Sequence, residues 1–199
     1  MKRRKLRRRL TMLMGIAILV ATGAPAVTRD PQTCPPERAI YRFESEDGRF
    51  EFKMVPARNY ASMASDLYLH LTTPQRGYWF TFSVSNGYGG TSLIPVSDPT
   101  APSARPDGPR ELLAEESAFD LLAPSLRFYA LDASLSFLVD PPVSGGQAPD
   151  YIMAPELGLA LWYDAAALSG DPDASRDPME RGMFRLAECL VAPPDPAYP

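Results

Sequence analysis

The chain has 199 residues, of which 45% are hydrophobic and 22 are prolines. This composition suits a folded domain, because it offers enough apolar side chains to bury a core, and the prolines exclude a bundle of long helices. The whole chain carries a net charge of −4, but its positive charges are concentrated at one end.

Residues 1–26 have the composition of a cleavable secretory signal peptide. Seven Lys and Arg residues between positions 2 and 9 precede an apolar run at residues 10–21, and Ala24-Pro25-Ala26 is a small-residue cleavage signal. The apolar run is shorter than the roughly 20 residues of a membrane-spanning helix, which makes a retained signal anchor the weaker alternative. Twin-arginine export is an alternative to general secretion, but Thr11 stands where that motif needs an apolar residue. We therefore expect a periplasmic or secreted protein with no stable transmembrane segment after cleavage.

Removal of the leader leaves an acidic chain. Residues 27–199 contain 13 Lys and Arg against 24 Asp and Glu, a net charge of −11. A nucleic acid or an anionic membrane surface would be repelled at long range, so we expect no nucleic-acid partner. The acidity also has a simpler interpretation, which is that it keeps an exported protein in solution.

The mature chain is predicted to form one domain. Residues 27–38 are interpreted as an extended lead-in, residues 39–191 as a single β-rich domain, and residues 192–199 as a proline-rich tail that does not pack. Cys34 and Cys189 are the only cysteines, and an oxidising destination predicts that they form a disulfide, with two unpaired thiols as the alternative.

A hairpin at residues 77–94 is the strongest structural signal. Tyr78, Phe80 and Phe82 occupy alternate positions, which is the period that places one face of a strand in a core. Asn86-Gly87 follows, where left-handed backbone angles cost little. Residues 77–84 and 91–94 are therefore predicted to pair as antiparallel strands.

Further short runs with the same character complete the fold prediction. They cover residues 40–44, 49–55, 66–71, 126–131, 134–139, 151–153, 157–163 and 183–190. A helix is predicted over residues 110–122, after a long loop at 97–109. The sequence thus predicts an all-β or β-rich α+β domain, either an antiparallel β-sandwich or a partly open barrel of about nine short strands with one short helix.

His70 is the only histidine and the first candidate for acid-base chemistry. On its strand it shares a face with Asp66, and Ser83 or Ser85 would have to approach from the neighbouring strand to complete a hydrolase triad. Gly-x-Ser-x-Gly is absent. A histidine on a polar or half-buried strand face is the competing interpretation.

A second candidate is a calcium site in the loop after residue 168. Acidic and hydroxyl side chains alternate there as in the first half of a calcium loop, at Asp171, Asp173, Ser175 and Asp177. Arg176 stands where such a loop needs glycine, and Gly182 stands where it needs a bidentate acid. A solvated turn is therefore the default interpretation.

Aromatic side chains supply a third candidate, a platform for a sugar or a peptide. Four residues could present flat faces to such a ligand: Trp79, Tyr88, Trp162 and Tyr163. Packing inside the domain would require the same residue types.

These observations predict a non-enzymatic binding or interaction module with a protein, peptide or glycan partner and no cofactor. The alternative is a hydrolase that uses His70 with Asp66 and a serine of the 77–92 hairpin.

Overall fold

The computed structural model describes residues 34–85, 90–101, 108–113 and 120–197, and nine antiparallel strands form a single sheet in it. The strands are β1 (Ala39–Ser45), β2 (Gly48–Pro56), β3 (Leu67–Thr72), β4 (Gly77–Val84), β5 (Thr91–Val96), β6 (Arg127–Leu131), β7 (Phe137–Leu138), β8 (Tyr151–Met153) and β9 (Met183–Cys189). Two 3-10 helices, Pro36–Arg38 and Ala123–Leu126, precede β1 and β6, and one α-helix, α1 (Leu157–Ser169), joins β8 to β9. The predicted leader and most of the lead-in lie outside the described residues.

Eight of the strands close into a barrel. Their order is β5-β4-β3-β2-β1-β9-β8-β6, and the N-terminal end of β6 pairs with β5 to complete the ring. β7 is the ninth strand, and it pairs with the other end of β6, where Leu138 lies opposite Ala130. The predicted β-rich fold of about nine strands is confirmed, and the sheet curls into a closed barrel instead of splitting into two layers.

The barrel core follows the alternation in the sequence. Tyr78, Phe80 and Phe82 of β4 point inward with 1% exposure or less, and they pack against the alternate leucines of β3, Leu67, Leu69 and Leu71. Burying such large apolar side chains is the main favourable term in folding.

The first and last strands of the domain are neighbours. Ala39 of β1 lies opposite Cys189 of β9, and Cys34 is bonded to Cys189 with an S–S distance of 2.12 Å. The predicted disulfide is confirmed, and it joins positions 155 residues apart.

Residues 157–163 are helical, so the strand predicted for them is wrong. Leu157, Leu161, Ala165 and Leu168 are buried, which is the three-to-four-residue spacing of a helix face. The apolar residues Leu159 and Tyr163 lie on the exposed face and produced a false period of two. Gly170 ends the helix in the left-handed conformation, at φ 71°.

The predicted helix over residues 110–122 is described only at its ends. Glu111 forms an antiparallel bridge with Val96, so no helix begins at Arg110, whereas residues 120–122 are helical. Residues 114–119 fall outside the described part of the chain, as does the turn predicted at Asn86-Gly87.

The C-terminal tail packs against the barrel, contrary to the prediction. Ala197 is 3% exposed and pairs with Ala57, and its N–H donates to the carbonyl of Pro56. It covers Tyr68 and Val96, which belong to a second buried cluster on the outer side of the sheet. The prolines of the tail do not prevent this contact, because the single residue Ala197 forms the bridge to Ala57.

Candidate ligand-binding groove and the His70 cleft

A groove of about 760 Å³ lies against the outer face of β4 and β5. Thr81 and Ile94 are opposite each other on the two strands and face away from the core residues Phe80 and Phe82. The groove, called the outer groove below, is lined by Ser62, Met63, Ala64, Thr81, Phe82, Ser83, Val84, Ile94, Glu111, Asp140, Pro141 and Val143.

Hydrogen bonds fix the loop that forms one wall of the outer groove. The Ser65 hydroxyl donates to the Pro142 carbonyl at 2.6 Å, and the Ser144 N–H donates to an Asp66 carboxylate oxygen at 2.9 Å. Residues 140–143 are thereby attached to the start of β3.

A second wall is fixed mainly by backbone pairing, and the Arg110 N–H also donates to the Ser97 hydroxyl at 2.9 Å. Leu112 N–H donates to the Pro95 carbonyl at 2.9 Å, and Ser97 N–H donates to the Arg110 carbonyl at the same distance. These bonds hold Glu111 beside the end of β5, where it bridges to Val96.

The outer groove combines exposed apolar side chains with acids. Met63 is fully exposed, and Val84 and Val143 are about half exposed. Glu111 and Asp140 are the only charged residues among the described residues that line it. Neither forms an ion pair with another residue of the described chain. In the described part of the chain, the groove therefore presents apolar contact area beside two acidic side chains that have no ion-pair partner.

His70 lies in a smaller cleft of about 240 Å³, whose lining includes Trp79, Asp98 and Ser169. Its ring packs on the indole of Trp79 with centroids 4.1 Å apart. Gly77 has to be small here, because a Cβ at this position would lie 2.6 Å from His70 Nε2. His70 Nδ1 is buried and has no hydrogen-bond partner in the described structure.

Burial determines the protonation state of His70. Desolvation, helped by the positive charge of Lys53 and opposed by Asp98, lowers the pKa of His70 from 6.5 to about 4. The imidazole is therefore neutral near pH 7, as a general base would need to be.

The residues predicted to work with His70 lie elsewhere. Asp66 accepts the hydrogen bond from Ser144, Ser83 lines the outer groove, and Ser85 is exposed at the end of β4. Asp98 and Ser169 do share the cleft with His70, but both already form other hydrogen bonds. Asp98 accepts hydrogen bonds from the N–H and the hydroxyl of Thr100, and the Ser169 hydroxyl donates one to the Ala165 carbonyl. Among the described residues, the geometry thus places no activated nucleophile beside His70.

The predicted aromatic platform is divided between separate surfaces. Trp79 is half-buried against His70, whereas Trp162 lies on α1 with the Arg176 guanidinium 5.1 Å from its ring centroid. Tyr163 is exposed on the same helix, and Tyr88 lies outside the described residues. Trp79 and Trp162 line different cavities.

The calcium candidates are also separated. Asp171, Asp173 and Ser175 are exposed, whereas Asp177 is fully buried and bonded to Thr73 and Tyr78. Within the described residues, no group of three or more His, Cys, Asp and Glu side chains is close enough to hold a metal ion.

Sequence reasoning missed the outer groove. Met63 and Val143 lie in irregular loops, and Glu111 falls within the segment predicted to be a helix. A usable signal was present in residues 137–143, where an apolar strand runs directly into Asp140, Pro141 and Val143.

Comparison with known proteins gives no relative: no protein-family model, curated protein or solved structure matches this chain. The helices of the described chain include none with the length and hydropathy needed to cross a membrane.

Proposed function

We propose that the protein is an exported, non-enzymatic binding module of the periplasm or the extracellular space, and that its ligand lies in the outer groove. The observation that carries this proposal is the groove itself. Its volume of about 760 Å³ falls within the range of protein ligand sites, and its exposed apolar side chains are held on a closed barrel.

Export is supported by the N-terminal sequence and by the disulfide. Residues 1–26 have the three regions of a signal peptide. The Cys34–Cys189 bond is of the kind that persists in oxidising compartments.

A binding role is favoured over hydrolysis by the distribution of polar groups. Hydrolysis by a serine needs a base within hydrogen-bond reach of the hydroxyl. Ser83 lies in the outer groove, His70 lies in its own cleft, and the Ser169 hydroxyl near His70 is already bonded to a carbonyl.

The proposal is tested with a neutral, environment-sensitive dye, which reports on apolar binding without a charge of its own. Titration of the dye into the oxidised protein is expected to give saturable fluorescence. The variant Val143→Asp should weaken dye binding about tenfold, since it introduces a charge beside the apolar contact area. Val191→Asp is the matched control, because Val191 is also exposed and does not line the groove.

Two results would contradict the proposal. One is the absence of saturable dye binding, and the other is an equal loss in the two variants. Thermal unfolding of both variants shows whether each retains the fold.

A further inference from the structure

We infer that the outer groove binds an extended polypeptide segment of a partner protein that carries both apolar and basic side chains. This inference rests on the proposed function and specifies the ligand of the same groove. Three observations support it: the apolar surface beside the groove, the edge of β7 that no described strand covers, and the charge of the described lining residues.

The apolar surface continues beyond the outer groove. Leu135, Phe137, Leu138 and Val139 are all exposed, by 40% to 83%, in the segment that leads into Asp140. Contiguous exposed apolar residues of this kind mark interaction sites on folded proteins. A small molecule would fill the groove and leave these side chains in water, whereas an extended chain can cover both.

β7 also offers a backbone edge. It is the terminal strand of the sheet, and one edge of it pairs with β6. Its other edge has no strand partner in the part of the chain that the structure describes. An extended segment can add to such an edge through main-chain hydrogen bonds, while its side chains enter neighbouring pockets.

Charge selects a basic segment. Glu111 and Asp140 are the charged side chains among the described residues of the groove, and residues 27–199 as a whole carry a charge of −11. This field attracts a basic ligand and repels an acidic one. It also opposes a second copy of the same chain, which would bring its own net negative charge to the interface.

The test uses two short capped peptides, one alternating leucine with lysine and the other alternating leucine with glutamate. Calorimetric titration at low salt is expected to detect binding of the lysine peptide and none of the glutamate peptide. Raising the salt concentration to about 300 mM should weaken the binding of the lysine peptide, because salt screens exposed charges.

Two pairs of variants identify the contact surface. Glu111→Gln combined with Asp140→Asn should weaken the lysine peptide about three- to tenfold, as expected for two exposed ion pairs. The control, Glu46→Gln combined with Asp195→Asn, removes the same charge at exposed positions outside the groove. Phe137→Ser should weaken binding of the lysine peptide about fivefold and leave dye binding unchanged. Tyr163→Ser on α1 should change neither peptide binding nor dye binding.

The results test separately the proposed binding function and the inference that the ligand is a polypeptide. If the dye binds but the two peptides bind equally, or if both charge variants weaken binding to the same extent, the inference is wrong and the proposed function stands. If Phe137→Ser leaves binding of the lysine peptide unaffected, the ligand does not extend over β7 and the inference is wrong. If neither dye nor peptide binds, both proposals fail.

Discussion

The Thr73 hydroxyl donates a 2.7 Å hydrogen bond to Asp177, which ties the loop before β9 to the turn between β3 and β4. Asp177 is fully buried, and the same carboxylate oxygen accepts a hydrogen bond from the Tyr78 hydroxyl at 3.0 Å. Arg76 completes the cluster with Nε 3.7 Å from that oxygen. A carboxylate that looked like a calcium ligand in the sequence is therefore an internal link of the fold.

Asp177→Ala is expected to lower the free energy of unfolding by about 2–4 kcal/mol, because it leaves the buried Tyr78 hydroxyl without its acceptor and the Arg76 guanidinium without its ion-pair partner. Urea denaturation measures the change. Asp171→Ala in the same loop is the control: Asp171 is exposed and accepts from the Asp173 N–H, so its loss should cost about 0.5 kcal/mol. Equal losses in the two variants would contradict the structural role of Asp177.

His70 should make stability depend on pH. In the unfolded chain it takes up a proton near pH 6.5, whereas burial lowers the folded pKa to about 4. Between these values the unfolded state binds more protons, so stability falls as the pH drops through this window and is fully retained above it. We expect His70 to contribute about 2 kcal/mol to this loss, allowing for its partial exposure.

Carboxylates titrate in part of the same range, so the measurement is a comparison with His70→Gln, whose side chain stays neutral. Urea unfolding of both proteins at several pH values should give curves that converge or cross as the pH falls from about 7.5 to 4. Parallel curves would show that the histidine is as easily protonated in the folded state as in the unfolded one.

Removal of residues 192–199 is expected to destabilise the protein by about 2–3 kcal/mol, because it uncovers Tyr68 and Val96 and breaks the Ala197–Pro56 backbone bond. Thermal unfolding measures the shift. Asp195→Asn, a substitution at an exposed position of the same tail, is the control and should have little effect. A full deletion that unfolds like the intact chain would mean that the tail contact adds no stability.

The sequence was informative where structure depends on neighbouring residues. The inward face of β4 and the leucines of β3 followed from a local period of two, and the runs predicted at residues 40–44 and 49–55 form the paired strands β1 and β2. Closure of the barrel was less accessible, because it depends on pairings such as Thr91 with Phe128 between distant segments. The disulfide was the one long-range contact that the sequence specified, since only one cysteine pair exists.

The strand predicted at residues 157–163 and the partners predicted for His70 differ from the structure for physical reasons. In α1, exposed Leu159 and Tyr163 filled the positions between buried residues, so hydrophobicity alone could not separate a helix from a strand. The cleft that contains His70 is lined by Asp98 and Ser169, which are 28 and 99 residues away along the chain. The nearby Asp66, which was predicted to work with His70, does not line it. Side chains that share a cleft through such distant contacts leave no periodic signal.

The Cys34–Cys189 bond has a consequence for proteolysis of the domain. It joins the two ends of the domain, so a single cut in any connecting loop between them yields two fragments that stay covalently attached. The fragments would separate on a gel only after reduction. A nicked molecule would thus keep its halves at high effective concentration and could retain its barrel, which makes the domain tolerant of an accidental cleavage.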